Sequence, residues 1–124
     1  MADYESKVAE SSRQFTARER IKFQDLADAV SLDTAAEDGA ISFAVKDYAI
    51  LQIHNEHSED KDYTKYVLEA EDGTLYVTGS ESFWRSFINI YNEMKDEKEA
   101  WELKVFKKDS TNYKGKKFIT CTIK

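Results

Sequence analysis

The hydrophobic period of this chain changes twice, and those changes limit what it can fold into. In ISFAVKDYAILQIH, Ile41, Phe43, Val45, Ala49, Leu51 and Ile53 fall on alternate positions, and only Asp47 interrupts them. Successive strand side chains point to opposite faces, so the alternation predicts a long strand with one buried face. The apolar register falters at Lys46 and Asp47, which predicts a bend or bulge there. The other face would carry Ser42, Lys46, Tyr48, Gln52 and His54. YTKYVLEAEDGTLYVTGS keeps the period of two on either side of EDG and predicts a hairpin. In SESFWRSFINIYNEMKDE the spacing turns helical, with Phe83, Trp84, Phe87, Ile88, Tyr91 and Met94 on one stripe that would seal the core. Thr78 and Glu81 have the spacing of a capping box at its entry. Alternation then returns, with Trp101, Leu103 and Val105 inward in AWELKVFKK and Ile119, Cys121 and Ile123 inward in KKFITCTIK.

Ahead of this pattern, MADYESKVAESSRQ has too few apolar residues to bury, so residues 1–14 read as a mobile arm and residues 15–124 as one domain. In FTARERIKFQDLADAVSLD, Thr16 and Glu19 form a second capping-box pattern, and Phe23, Leu26, Ala27 and Val30 recur on one side. A short amphipathic helix is expected there, followed by a turn or loop in DTAAEDG. The chain has no proline, so breaks fall at Gly, Asp, Ser and Asn. Three strands, a helix and two strands is the element order of a mainly β, five-stranded OB-like barrel. The helix lies between strands 3 and 4, with an N-terminal helix or arm added. A β-sandwich, or an open sheet crossed by a helix, would give a similar string.

At 124 residues, with 41% hydrophobic and 13% aromatic side chains, the chain can bury one core. No apolar run approaches the roughly 18 residues that cross a bilayer, and no charged-then-apolar leader opens the chain. The expected setting is soluble and cytoplasmic. Cys121 stands alone, so no internal disulfide can form, and within an apolar alternation it reads as a buried, inert thiol.

Catalytic signatures are absent. There is no nucleophile elbow, no P-loop and no dinucleotide fingerprint. HNEHSED places His54 and His57 three apart near carboxylates, but at a strand end running into a loop that spacing fixes no geometry. Structural zinc also calls for four ligands, usually with cysteine. A solvated loop is the simpler reading. VTGSESF could hold an anion at a helix N-terminus, but Thr78 or Ser80 acting as a cap accounts for it. Neither a cofactor nor catalysis is expected. A secondary rival is an enzyme, with a metal-dependent nuclease built on His54, His57 and nearby carboxylates as its best form.

The terminal segment FKKDSTNYKGKKFITCTIK is where several features reinforce one another. From Trp101 onward, seven lysines face only Glu102 and Asp109, a net +5. The preceding hundred residues hold 11 basic and 22 acidic side chains, a net −11 within a chain of −6. With the aliphatic positions inward, Lys104, Phe106, Phe118, Thr120 and Thr122 point outward. A loop bearing Tyr113, Lys114, Lys116 and Lys117 would join the two strands, with Lys107 and Lys108 beside it. The same parity on the earlier strands exposes Tyr48, Tyr63, Lys65 and Tyr76. Exposed rings stack on bases for about 1–3 kcal/mol each, with little regard to base identity. Lysines alongside neutralise phosphates and release counterions. Together these residues predict a low-specificity single-strand-binding face.

DGTLYVTGSESFWRSFINIYNEM followed by WELKVFKKDSTNYKGKKFITCTI resembles the OB-fold single-stranded DNA-binding proteins of bacteriophages and prophages. The resemblance runs from about Ile41 to the C-terminus. It implies a DNA replication or recombination accessory that coats single strands in the bacterial host cytoplasm and meets replication or recombination proteins. The positions carried over are the aromatics and lysines of the last two strands and their loop. Many such proteins end in an acidic tail that recruits partners, whereas this chain ends in a basic strand. A homo-oligomer is compatible with the sequence. The rival reading is a protein–protein interaction module, a phage factor that acts on a host protein through the acidic N-terminal portion.

Overall fold

The alternating segment that begins at Ile41 forms two strands in two different sheets. The computed structural model describes residues 4–109 and 117–124. In chain order the elements are β1 (Tyr4–Ser11), α1 (Ala17–Gln24), β2 (Val30–Ser31), α2 (Leu32–Ala35), β3 (Ile41–Phe43), β4 (Val45–Asn55), β5 (Asp62–Ala70), β6 (Leu75–Thr78), α3 (Glu81–Met94), β7 (Leu103–Asp109) and β8 (Lys117–Ile123). The first sheet runs β1-β4-β5-β6-β2 and the second β3-β7-β8. The chain leaves one sheet for the other at Ala44, whose carbonyl accepts from the Glu71 amide at 2.9 Å. The predicted irregularity is present as a register shift between Val45 and Asp47. The fold is mainly β, as expected.

The sheets do not close into the expected five-stranded barrel. Closure would need β8 to reach β6, but β2 occupies the far side of β6 in parallel register, Val30 opposite Tyr76. Within the described residues β8 pairs only with β7. The architecture is therefore two open sheets.

Residues 4–11, expected in an arm, instead form β1 and pair antiparallel with β4 from Tyr4–Asn55 to Ser11–Ala49. A shortage of apolar residues does not prevent this, because an edge strand is held by its backbone ladder and Val8 packs under α1. The sequence before that helix then does what its capping box predicts. Thr16 Oγ1 accepts from the Glu19 amide at 3.2 Å, and Glu19 Oε1 accepts from the Thr16 amide at 2.9 Å. At α3 the expected Thr78–Glu81 box is replaced by Ser80, whose Oγ accepts from the Phe83 amide at 3.2 Å. Thr78 has other work, accepting from the Ser80 amide and donating to Asp33. DTAAEDG, expected as a loop, begins with the short helix α2.

Both faces of the first sheet are covered, and this is the main departure from a half-buried alternation. On one face Tyr48, Tyr66 and Leu68 pack with Phe83, Trp84 and Phe87 of α3 and with Phe43, Leu103, Val105, Ile119 and Cys121 of the second sheet. On the other, Ala49, Leu51, Ile53 and Val67 lie beneath Phe15 and Phe23, whose rings stack at 4.7 Å. In β5 the five residues from Tyr66 to Ala70 are consequently all buried.

Two carboxylates lie in that second layer. Asp47 and Glu69 are opposite one another across β4 and β5, and they are 6% and 3% exposed. Like charges so placed repel, and burial without partners is costly. The N-terminal segment supplies the partners. Arg13 reaches Asp47 Oδ2 at 3.2 Å, Ser12 Oγ donates to Asp47 Oδ1 at 2.8 Å, and Lys22 of α1 pairs with Glu69.

Removing only the Lys22 charge, as in Lys22→Met, leaves Glu69 buried without its cation and is expected to cost about 1–3 kcal/mol. Making the pair apolar with Lys22→Met and Glu69→Leu together is expected to recover most of that loss. Urea unfolding of the three proteins checks both values.

Candidate nucleic-acid interface

The inward parity predicted for the last two strands holds at Leu103, Val105, Ile119 and Cys121, all buried. It fails at Ile123, which is 42% exposed because the core ends before the strand does. Burial pushes the Cys121 thiol up to about 12, and its Sγ sits 4.0 Å from the Phe83 carbonyl, so the thiol is held un-ionised. Trp101 packs partly against the same core.

The opposite parity makes the outer face of the second sheet. Lys104 is opposite Thr122, Phe106 opposite Thr120 and Lys108 opposite Phe118. The two phenylalanines are therefore diagonal neighbours on one face, with a lysine beside each. Phe106 is half-buried outside both core clusters, and Phe118 is 38% exposed. Lys104 Nζ lies 5.9 Å from the Phe106 ring centre, in cation–π range. Ser42 extends the face through its pairing with Lys104. Lys107 and Lys117 belong to the same strands but to the core-side parity, at the end beyond the packed residues. Tyr113, Lys114 and Lys116 lie outside the described residues.

The four positions chosen on the earlier strands do not join this face. Tyr48 is 8% exposed and sits edge-on to Trp84 at 5.1 Å and to Tyr91 at 5.0 Å. Tyr76 is half-buried and stacks on Phe43 at 4.3 Å. Both belong to the face of the first sheet that α3 covers. Tyr63 and Lys65 belong to the α1 side, where Lys65 Nζ lies 6.0 Å from the Tyr63 ring centre. Alternation exposes a residue only where one face of its strand meets water, and the first sheet has no such face along its middle. Asp47 and Glu69 were the residues missed; the signal was a carboxylate standing at an apolar position of β4.

An open depression of about 560 Å³ lies elsewhere, lined by Glu5, Lys7, Gln52, His54 and Asp62 among others. His54 there is clamped, with Nδ1 2.7 Å from Asp62 and Nε2 2.6 Å from Glu56. Hydrogen bonds to Asp62 first and Glu56 second raise its pKa, so the two carboxylates favour the protonated ring at this end of the β4–β5 hairpin. No group of three or more His, Cys, Asp or Glu side chains among the described residues is placed to hold a metal ion. No helix among them is long and apolar enough to cross a membrane.

Comparison of the chain with protein-family models, with curated proteins and with solved structures finds no match.

Two measurements check this geometry. Tyr48→Ala is expected to cost about 3–5 kcal/mol, as for other buried aromatics, and Phe106→Ala less than about 1 kcal/mol; chemical denaturation compares them. The raised His54 pKa means its charged pairing adds stability below the unfolded value of about 6.5, lost as pH rises through the folded value. His54→Gln is therefore expected to lower the melting temperature at about pH 5.5 and to change it little near pH 9.

Proposed function

We propose that the outer face of β3, β7 and β8 binds single-stranded DNA with low sequence specificity, by stacking bases on Phe106 and Phe118 and neutralising phosphates with Lys104 and Lys108. The observation that carries this reading is the pairing of Phe106 with Thr120 and of Lys108 with Phe118. It sets two rings and their lysines on one sheet face that no described element covers. Thr120, opposite Phe106 and two residues from Phe118, puts a small side chain beside both rings. A β5–β6 hairpin, a helix and a further β7–β8 hairpin is the order of an OB-like domain, and the resemblance to phage-type single-strand binders points the same way. On this reading the protein serves DNA replication or recombination in a bacterial cytoplasm, without catalysis. Tyr48, Tyr63, Lys65 and Tyr76 have no part in the contact surface.

Fluorescence titration of labelled oligo-dT across a salt series tests the proposal. Affinity is expected to fall linearly in log–log form, and Lys104→Gln with Lys108→Gln to make the slope shallower by about 0.7 for each phosphate no longer neutralised. Phe106→Ala is expected to weaken binding about 5- to 150-fold while the fold is kept. Absent or salt-independent binding would overturn the proposal and favour the protein-interaction module. Equal affinity for duplex DNA of the same length would overturn it too.

A further inference from the structure

We propose that the open edge of β1 pairs with β1 of a second copy of this chain, antiparallel about a two-fold axis at Ser6. The pairing would join two five-stranded sheets across a homodimer.

β1 is the end strand of its sheet, with β4 on one side and, among the described residues, no strand on the other. Its outer backbone groups are therefore available to another strand. The shift in register between Val8 and Glu10 leaves Tyr4–Val8 as the regular run that such a partner could follow. Within it, Glu5 and Lys7 share the face of His54 and Gln52, while Tyr4, Ser6 and Val8 share the face of Ile53 and Leu51.

Symmetry then selects the register. A two-fold axis between antiparallel strands stands perpendicular to the sheet and passes between one residue and its own copy, and paired residues share a face. With the axis at Glu5, two carboxylates meet; with the axis at Lys7, two ammonium groups meet. An axis at Val8 draws the irregular stretch around Ala9 into the ladder. With the axis at Ser6, Glu5 of each copy faces Lys7 of the other. The same register sets Tyr4 against Val8 twice on the opposite face. Tyr4 is 49% exposed and Val8 is packed only in part, so each ring would cover an aliphatic edge that the single chain leaves half open. Glu5 and Lys7 are both exposed, and neither enters an ion pair among the described residues. A lysine on an edge strand ordinarily discourages pairing. Glu5, two residues away, turns the same lysine into a selector for one register. The inference is independent of the β7–β8 face.

Sedimentation velocity of the full chain over a concentration series tests it, with thermal melting as the control for folding. The wild-type chain is expected to dimerise. Glu5→Lys and Lys7→Glu, each alone, put like charges opposite one another twice and are expected to weaken dimerisation by about tenfold or more. Carrying both changes in one chain restores opposite charges and is expected to restore the dimer. An equimolar mixture of the two single variants is expected to form a heterodimer for the same reason. A monomeric wild-type chain would overturn the proposal, and so would single variants that dimerise as well as wild type. Failure of the doubly changed chain to dimerise would also overturn it.

Discussion

The structure depends on how the facing carboxylates Asp47 and Glu69 are neutralised beneath α1. Two acids opposite one another in a covered layer would push β4 and β5 apart, so the central sheet draws stability from cations supplied elsewhere. Both cations come from the first 22 residues, where Arg13 takes Asp47 and Lys22 takes Glu69. Arg13 also bonds Glu19 at 3.0 Å, and Glu19 closes the capping box of α1. Chiefly through that arginine, the Glu19 carboxyl is pulled down to about 2. Helix start, bulge and sheet interior are thus tied through one guanidinium. The N-terminal segment is the second wall of the domain, and the stacked Phe15 and Phe23 rings fill the layer it encloses.

This wall decides where a ligand could be received. The first sheet spends both faces on packing along its middle, and the aromatic residues Tyr48, Tyr66 and Tyr76 are engaged there. Tyr48 supports Trp84 and Tyr91, and Tyr76 lies against Phe43. The second sheet has only one covered face. Its inner residues complete the α3 core, and its outer residues have no element over them among those described. The division follows from Ala44, where the chain passes from the short sheet to the long one.

Local period was the part of the fold legible in the sequence. The strands around the EDG turn and the inward positions of β7 and β8 other than Ile123 follow from side-chain alternation, and the α3 stripe from helical spacing; both are properties of a few neighbouring residues. The bulge at Asp47 was legible because a carboxylate stood where an aliphatic side chain belonged. Long-range pairing was not legible. Nothing local to Val30 and Ser31 says that they will flank β6 and keep the barrel open, and nothing in YESKVAES says that it will lie beside β4. For the candidate site the same boundary applies. Phe106, Phe118 and Lys104 were found by parity within one hairpin, whereas Tyr48 and Tyr76 were misassigned because their cover arrives from distant parts of the chain.

An acidic chain can hold a polyanion if the contact is decided by the field at the surface touched rather than by total charge. Lysines at Lys104 and Lys108 would attract any phosphate backbone, paired or unpaired, and so cannot by themselves favour single strands. The rings supply that preference under the proposed reading. A base in a duplex already has both faces stacked on its neighbours, so an outward phenylalanine gains nothing from it without unstacking. An unpaired base offers a free face to Phe106 or Phe118 at no such cost. On the same reading the surrounding net negative charge would repel a stiff duplex that must approach along its whole length, while a flexible single strand could follow the lysine-lined face alone. Selectivity for unpaired DNA on this surface would then come from two weak effects acting in the same direction: stacking that only a free base can accept, and repulsion that only a rigid polyanion cannot avoid.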